Sequence, residues 1–164
     1  MNKIIRKIQY SEKVYRFDVE APLIAKSRKA GNFVIIRVDA NSERMPLTIA
    51  DADTEKGTIT LVVQKVGLSS TKLCNLNEGD EIHDVVGPLG NPTHIENFGT
   101  VLCAGGGVGV APMLPIIKAL KAAGNRVLSV IAGRSKDLVI MEDEVRASSD
   151  ELIIMTDDGS YGEK

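Results

Sequence analysis

The sequence has no tryptophan, only two cysteines and only two histidines among its 164 residues. Cys74 and Cys103 are too few and too far apart for a disulfide framework or a paired-cysteine metal site. His83 and His94 fall into no helical metal-binding pattern, so no metal is expected. Charge of one sign is also scarce. The formal net charge is −2 and no basic run appears, which gives no reason to expect nucleic acid. No apolar stretch approaches the ~20 residues that cross a bilayer, so no membrane partner is expected. The opening stretch, MNKIIRKIQYSEKVYRFDVE, alternates charged and apolar residues and lacks the apolar core of a secretion signal. The cytoplasm is the expected compartment. What is present is an ordinary globular mixture, 43% hydrophobic and 26% charged, long enough for one sizeable core or two small ones.

The chain changes character near residues 97–99. Before that point short runs alternate with a period of two. KVYRFDVEAP sets Tyr15, Phe17 and Val19 on one face and Val14, Arg16 and Asp18 on the other. GNFVIIRVDA, RMPLTIAD, GTITLVVQKVG and DEIHDVVG read the same way, punctuated by Gly31, residues 53–57, Gly79 and Gly87. The pattern predicts an all-β, roughly six-stranded antiparallel Greek-key barrel over residues 1–97, whose closure removes exposed edges. One stretch differs. SSTKLCNL, residues 69–76, is led by hydroxyls and predicts a short helix capped by Ser69 or Ser70.

After Gly99 the period lengthens. TVLCA reads as a buried strand, and residues 112–123 as a helix with Pro112 in its first turn and Gly124 as its stop. RVLSVIAGR is a second buried strand, DLVIMEDEVRA a helix, and ELIIMTDDG a third strand. Strand, helix, strand, helix, strand predicts a parallel sheet with right-handed crossovers. Residues 98–164 therefore read as the first half of a doubly wound α/β domain.

Parallel sheets present ligands beyond the carboxyl ends of their strands. Gly105, Gly106, Gly107 and Gly109 fall there, after the first strand. Bare backbone lets a phosphate approach the start of the following helix, although a tight turn and close packing would also use glycine. Arg134, Ser135 and Lys136 end the second strand and suit an adenosine ribose or its phosphate, or form a solvated loop. Asp157 and Asp158 end the third strand, where they can orient ribose hydroxyls or begin the next turn. Glu142, Asp143 and Glu144 read as a solvated helix face. In the first half, Arg44 precedes Pro46, Leu47 and Thr48, and the start of the helix near Ser69, Ser70 and Thr71 is a second phosphate seat. One arginine and one helix start can hold a pyrophosphate. Two phosphate seats in two domains suggest two dinucleotides.

These residues carry a resemblance. RMPLTIAD, VGLSSTKL followed by GDEIHDVVGPLGNP, GGGVGVAPMLP and TDDGSYG, in that order, are similar to the ferredoxin–NADP reductase superfamily. Within it the chain most resembles the flavin-carrying small subunits of NAD(P)H-dependent ferredoxin oxidoreductases, also known as sulfide dehydrogenase subunits. The resemblance covers essentially the whole chain. It implies an FAD-binding barrel before an NAD(P)-binding domain. By that likeness Arg44, Gly67, Ser69, Ser70 and Thr71 hold the FAD pyrophosphate, and Pro46, Leu47 and Thr48 lie along the isoalloxazine, with Thr48 nearest the reactive N5. Gly106, Gly107, Val108 and Gly109 receive the nicotinamide nucleotide, with Arg134 at its adenosine end and Asp157 and Asp158 in the same pocket.

The resemblance further implies NAD(P)H as substrate, hydride transfer from nicotinamide C4 to flavin N5, a larger oxidoreductase subunit as partner in a heterodimer, and ferredoxin as acceptor. No acid–base side chain is needed for such a step, which suits the lack of a catalytic His or Cys arrangement. Members of the family continue beyond this length and carry a cysteine-bound 2Fe–2S cluster. Two cysteines cannot hold one, so the chain reads as a C-terminally truncated fragment, and the cluster is expected only in the full-length protein. Two other readings stand beside this one: the electron-transfer subunit of dihydroorotate dehydrogenase, which shares R-x-P-L and GPLG, and a non-catalytic nucleotide-binding module.

Overall fold

The period-two stretches fold as strands because each can bury one face and hydrogen-bond along both edges. A computed structural model describes residues 2–164. Its first eight strands are β1 (Asn2–Gln9), β2 (Val14–Glu20), β3 (Phe33–Arg37), β4 (Met45–Thr48), β5 (Asp51–Asp53), β6 (Thr58–Gln64), β7 (Glu81–Ile82) and β8 (Asp84–Leu89). They form two antiparallel sheets, ordered β5-β6-β2-β1-β7 and β4-β3-β8. Phe17, Val19, Ile4, Ile59 and Leu61 from the first sheet share one core with Val34 and Ile36 from the second. The barrel-like arrangement agrees with the sequence, but the strands number eight rather than about six. The surplus is β5 and β7, of three and two residues, too short to show a period.

Two helices interrupt these strands, one between the two sheets and one between β6 and β7 of the first. α1 (Pro22–Ser27) has no counterpart in the sequence reading. Its six residues are held by burying Ile24 and Ala25 rather than by any helical periodicity. α2 (Leu68–Asn75) begins one residue earlier than expected, and its N-cap is Gly67, not Ser69 or Ser70. Ser70 serves from inside the helix: its Oγ accepts the Val66 and Gly67 amides at 3.0 and 2.9 Å.

A second unit begins at Thr93. This is ahead of the change of period at 97–98, because the intervening residues bond forward. The buried Asn125 side chain donates to the Glu96 carbonyl and accepts the Phe98 amide, at 2.8 and 2.7 Å. The unit comprises β9 (Thr100–Gly106), α3 (Val110–Ala122), β10 (Arg126–Gly133), α4 (Glu142–Ser148) and β11 (Glu151–Thr156). The strands are parallel and ordered β11-β10-β9, as the alternation predicted. Two boundaries differ. α3 starts before Pro112, after a short 3₁₀ turn over Gly107–Gly109. α4 occupies only the end of DLVIMEDEVRA, because Met141 adopts a left-handed φ of 57° and the chain before it forms only a short 3₁₀ turn over Lys136–Leu138. Gly124, at φ 88°, follows the last turn of α3 as expected, its amide bonded to the Lys121 carbonyl.

Candidate functional site

In the first unit, the R-M-P-L-T segment enters β4 beside β3, with Met45, Pro46, Leu47 and Thr48 opposite Ile36, Ile35, Val34 and Phe33. Arg44, just before it, is exposed and makes no ion pair among the described residues. Arg44, Pro46 and Leu47 line one hollow of about 360 Å³ together with Gly67, Ser69 and Ser70. Six residues singled out from two separate motifs thus converge. Their neighbours in the wall are Met45, Val63, Val66 and Leu68, which are apolar, with Glu43 and Gln64.

The hollow combines an apolar wall, one unpaired guanidinium and the start of an eight-residue helix. A helix N-terminus carries roughly half a positive charge on its unpaired amides. At the other end of α2, Lys7 Nζ donates to the Cys74 and Leu76 carbonyls, both at 2.7 Å, which complements the negative pole. Lys72, on the second turn, bonds to Asp39 and Ser42 in the loop before Arg44. The Lys72 ammonium, then the Ser42 hydroxyl and the Asn41 amide, lower the Asp39 carboxyl to about 2.

A second hollow of about 520 Å³ shares Val66 and Gly67 with the first and is lined by Lys13, Tyr15, Lys65 and Thr71 among others. Thr71 therefore faces a different hollow from Ser69 and Ser70. Thr48, half-buried in β4, lines neither. Val66 and Leu68 went unnoticed in the sequence. Their signal is exposure, 77% and 76%, on either side of Gly67, which only coordinates reveal.

In the second unit the expected residues gather at the carboxyl edge of the parallel sheet. Gly106 ends β9 opposite Ala132, and Gly133 ends β10 opposite Thr156. Gly105 and Gly106 belong to the strand rather than to the turn. For Gly105 the reason is packing: an added Cβ would lie 3.2 Å from both the Gly109 carbonyl oxygen and Met113 Sδ. For Gly107 it is conformation, at φ 52°. Gly109 answers to neither, since its φ is −65° and a Cβ there would meet nothing within 4 Å. Val108 lies in the same 3₁₀ turn, which leads directly into α3.

Arg134 is exposed just past β10. Lys136, by contrast, is committed: its Nζ sits 5.2 Å from the centre of the Tyr161 ring. Asp157 and Asp158 follow β11 as a turn whose amides bond to the Gly133 and Arg134 carbonyls, at 3.1 and 3.2 Å. The Ser160 hydroxyl, then the Ser160 amide, hold the Asp158 carboxyl below its ordinary range. Tyr161 closes this turn onto α4, donating its hydroxyl to Glu142 at 3.0 Å. Glu142 is thus a fastening point rather than part of a wholly solvated face. No helix among the described residues is long and apolar enough to cross a membrane.

Residues 2–94 match the family model described as the oxidoreductase FAD-binding domain. The chain is 48% identical, over 164 residues and its whole length, to a Thermotoga maritima protein named dihydroorotate dehydrogenase B (NAD(+)), electron transfer subunit homolog, of which it covers 58%. It is 34% identical to the dihydroorotate dehydrogenase B electron transfer subunit of Bacillus caldolyticus, over 93% of this chain and 61% of that protein. A solved structure of an NADH-dependent reduced ferredoxin-NADP oxidoreductase superposes with a TM-score of 0.95 at 44% identity, over all of this chain and 59% of that one. Phthalate dioxygenase reductase, at 22% identity and a TM-score of 0.76, shares the fold. The chain spans about 58% to 61% of the length of the curated relatives it matches.

Proposed function

The chain belongs to the oxidoreductase FAD-binding domain family, and from that premise we propose that it is the flavin- and nicotinamide-binding part of an NAD(P)H-dependent electron-transfer subunit. One observation carries the reading: Arg44, Pro46 and Leu47 line a single hollow with Gly67, Ser69 and Ser70. An apolar wall suits a flat isoalloxazine, and an arginine in the same hollow as a helix start suits a pyrophosphate. FAD binding is assigned to Arg44, Pro46, Leu47, Gly67, Ser69 and Ser70 from this hollow, and to Thr48 and Thr71 from the motif likeness alone. The second hollow, across Val66 and Gly67, has room for the remainder of the dinucleotide.

Gly106, Gly107, Val108 and Gly109 receive the nicotinamide nucleotide at the start of α3, and Arg134 meets its adenosine end. Asp157 and Asp158 contribute ribose contacts through what their turn leaves free. Residues 1–97 are assigned to flavin and 98–164 to nicotinamide nucleotide. When bound, FAD supplies the redox chemistry, accepting a hydride at N5 and releasing electrons singly. Thr48 is assigned to the N5 end of the ring. The chain's own work is to bind, to orient and to exclude water, and no side-chain acid or base is assigned.

Cys74 and Cys103 do not make the four-ligand set of an iron–sulfur cluster. Any 2Fe–2S cluster would have to be held by residues outside this chain. A larger catalytic subunit, ferredoxin as acceptor and a cytoplasmic location complete the proposal. The names of the Thermotoga and Bacillus relatives support the second reading, an electron-transfer subunit of dihydroorotate dehydrogenase. Both readings share the site. The test is anaerobic addition of NADH, then NADPH, to the protein loaded with FAD. Bleaching of the oxidised flavin band supports electron transfer; a band unchanged by either nucleotide refutes it and leaves a binding module.

A further inference from the structure

The FAD reading above requires two elements from different parts of the first unit to keep a fixed spacing. Arg44 ends the loop between β3 and β4, whereas Ser69 and Ser70 stand at the start of α2. Neither seat is adjacent to the other in the sheet order. Loops of this kind hold their shape only where something fixes them.

The loop is ordered first by itself. Asp39 Oδ1 accepts the Asn41 amide at 2.8 Å, and the Asp39 carbonyl accepts the Ser42 amide at 3.1 Å. This shapes the turn but does not tie it to the helix. The tie is Lys72. Its Nζ lies 3.0 Å from Asp39 Oδ2 and 3.3 Å from Ser42 Oγ, two residues short of Arg44. Lys72 lies just one residue past the first-turn group Ser69, Ser70 and Thr71. Lys7 fixes the C-terminal carbonyls of the same helix, whereas Lys72, at the start of its last turn, reaches out to the loop.

We propose that Lys72 is a positioning residue of the flavin site: its bridge to Asp39 and Ser42 holds the Arg44 loop against α2, so that the guanidinium and the helix start address one pyrophosphate. Lys72 acts through these two groups and lines neither hollow. The bridge is part-exposed, at 36% for the Lys72 side chain and 47% for Asp39. Pairs of this exposure contribute little to global stability, so their loss should be read in the ligand and not in the fold.

The experiment is a titration of the chain and its variants with FAD and with riboflavin, which has the ring but no phosphate. Lys72→Met and Asp39→Asn should each weaken FAD binding roughly three- to fivefold, the scale of one exposed ion pair. The double variant should be no weaker than either single one, because both break the same link. Lys72→Arg should bind FAD as the unmodified chain does, and riboflavin affinity should be equal in all variants. FAD binding unchanged in Lys72→Met overturns the proposal, as do additive losses or an equal fall in riboflavin affinity, which would mark a general structural role. Failure of the unmodified chain to bind FAD at all sinks the flavin reading itself, a result separate from the behaviour of the variants.

Discussion

The Gly67 amide donates to the Ser70 hydroxyl at 2.9 Å, and that hydroxyl returns its own proton to the Gly67 carbonyl at 3.0 Å. The Val66 amide joins the same oxygen at 3.0 Å. One buried hydroxyl therefore fixes the whole entry into α2, leaving Gly67 itself free of any side-chain duty.

Ser70→Ala should consequently destabilise the protein in the absence of ligand. Two amides at a helix start lose their acceptor, which costs about 1–2 kcal/mol. Denaturant unfolding should show a lower midpoint at unchanged slope. An unchanged midpoint would mean that water replaces the hydroxyl without penalty.

The glycines separate into those the fold needs and those it does not. Gly67 has an extended φ of −146°, and a Cβ there would meet nothing within 4 Å; Gly109 is equally open. Gly67→Ala and Gly109→Ala should leave unfolding midpoints alone while weakening FAD and NAD(P)H binding respectively. Gly105→Ala should instead cost about 1–3 kcal/mol of stability, because the Gly109 carbonyl cannot yield as Met113 can. Unfolding and titration on the same three variants check both halves. Full ligand affinity in the first two would remove the case for close phosphate approach.

Arg44→Ala should weaken FAD about tenfold or more, the scale of one charge-assisted hydrogen bond. Stability without ligand should not change, since Arg44 is exposed and has no ion-pair partner among the described residues. Comparing flavin content of the purified variant with its unfolding midpoint separates the two effects. Undiminished flavin content contradicts the assignment.

The Asp39 carboxyl sits at about 2 rather than near its ordinary 3.8, chiefly through Lys72. A depressed carboxyl contributes its stabilisation above the unfolded value and loses it as pH falls through the folded one. The bridge should therefore be intact from neutral pH to about pH 4 and be lost progressively towards pH 2. Asp53, Asp150 and Asp158 are lowered too and will share in the acid slope. The difference between the unmodified chain and Asp39→Asn isolates the one group. FAD affinities whose ratio between the two is flat across that window would contradict the bridge.

Elements carried by period were legible in the sequence. β2, β3, β6, α3 and β10 follow from apolar spacing alone, because burial of one face both creates the pattern and selects the fold; β9, read as a buried strand, has no buried residue and exposes Leu102. What escaped was fixed by tertiary contact. α1 is too short to show a period, and the break before α4 depends on one left-handed residue, Met141. The site divides in the same way. Arg44, Pro46 and Leu47 could be matched to Gly67, Ser69 and Ser70 through motif likeness, and they do share a hollow. Sequence alone could not distinguish Gly105, required by packing, from Gly109, which packing leaves free. Nor could it reveal Lys72, whose partners lie some thirty residues back in a loop.

The most direct measurement is a fluorescence titration of the unmodified chain with FAD alongside riboflavin. A pyrophosphate seat built from Arg44 and the start of α2 predicts saturable binding of one FAD per chain, clearly tighter than riboflavin. No saturable FAD binding, or equal affinity for the two, would contradict it.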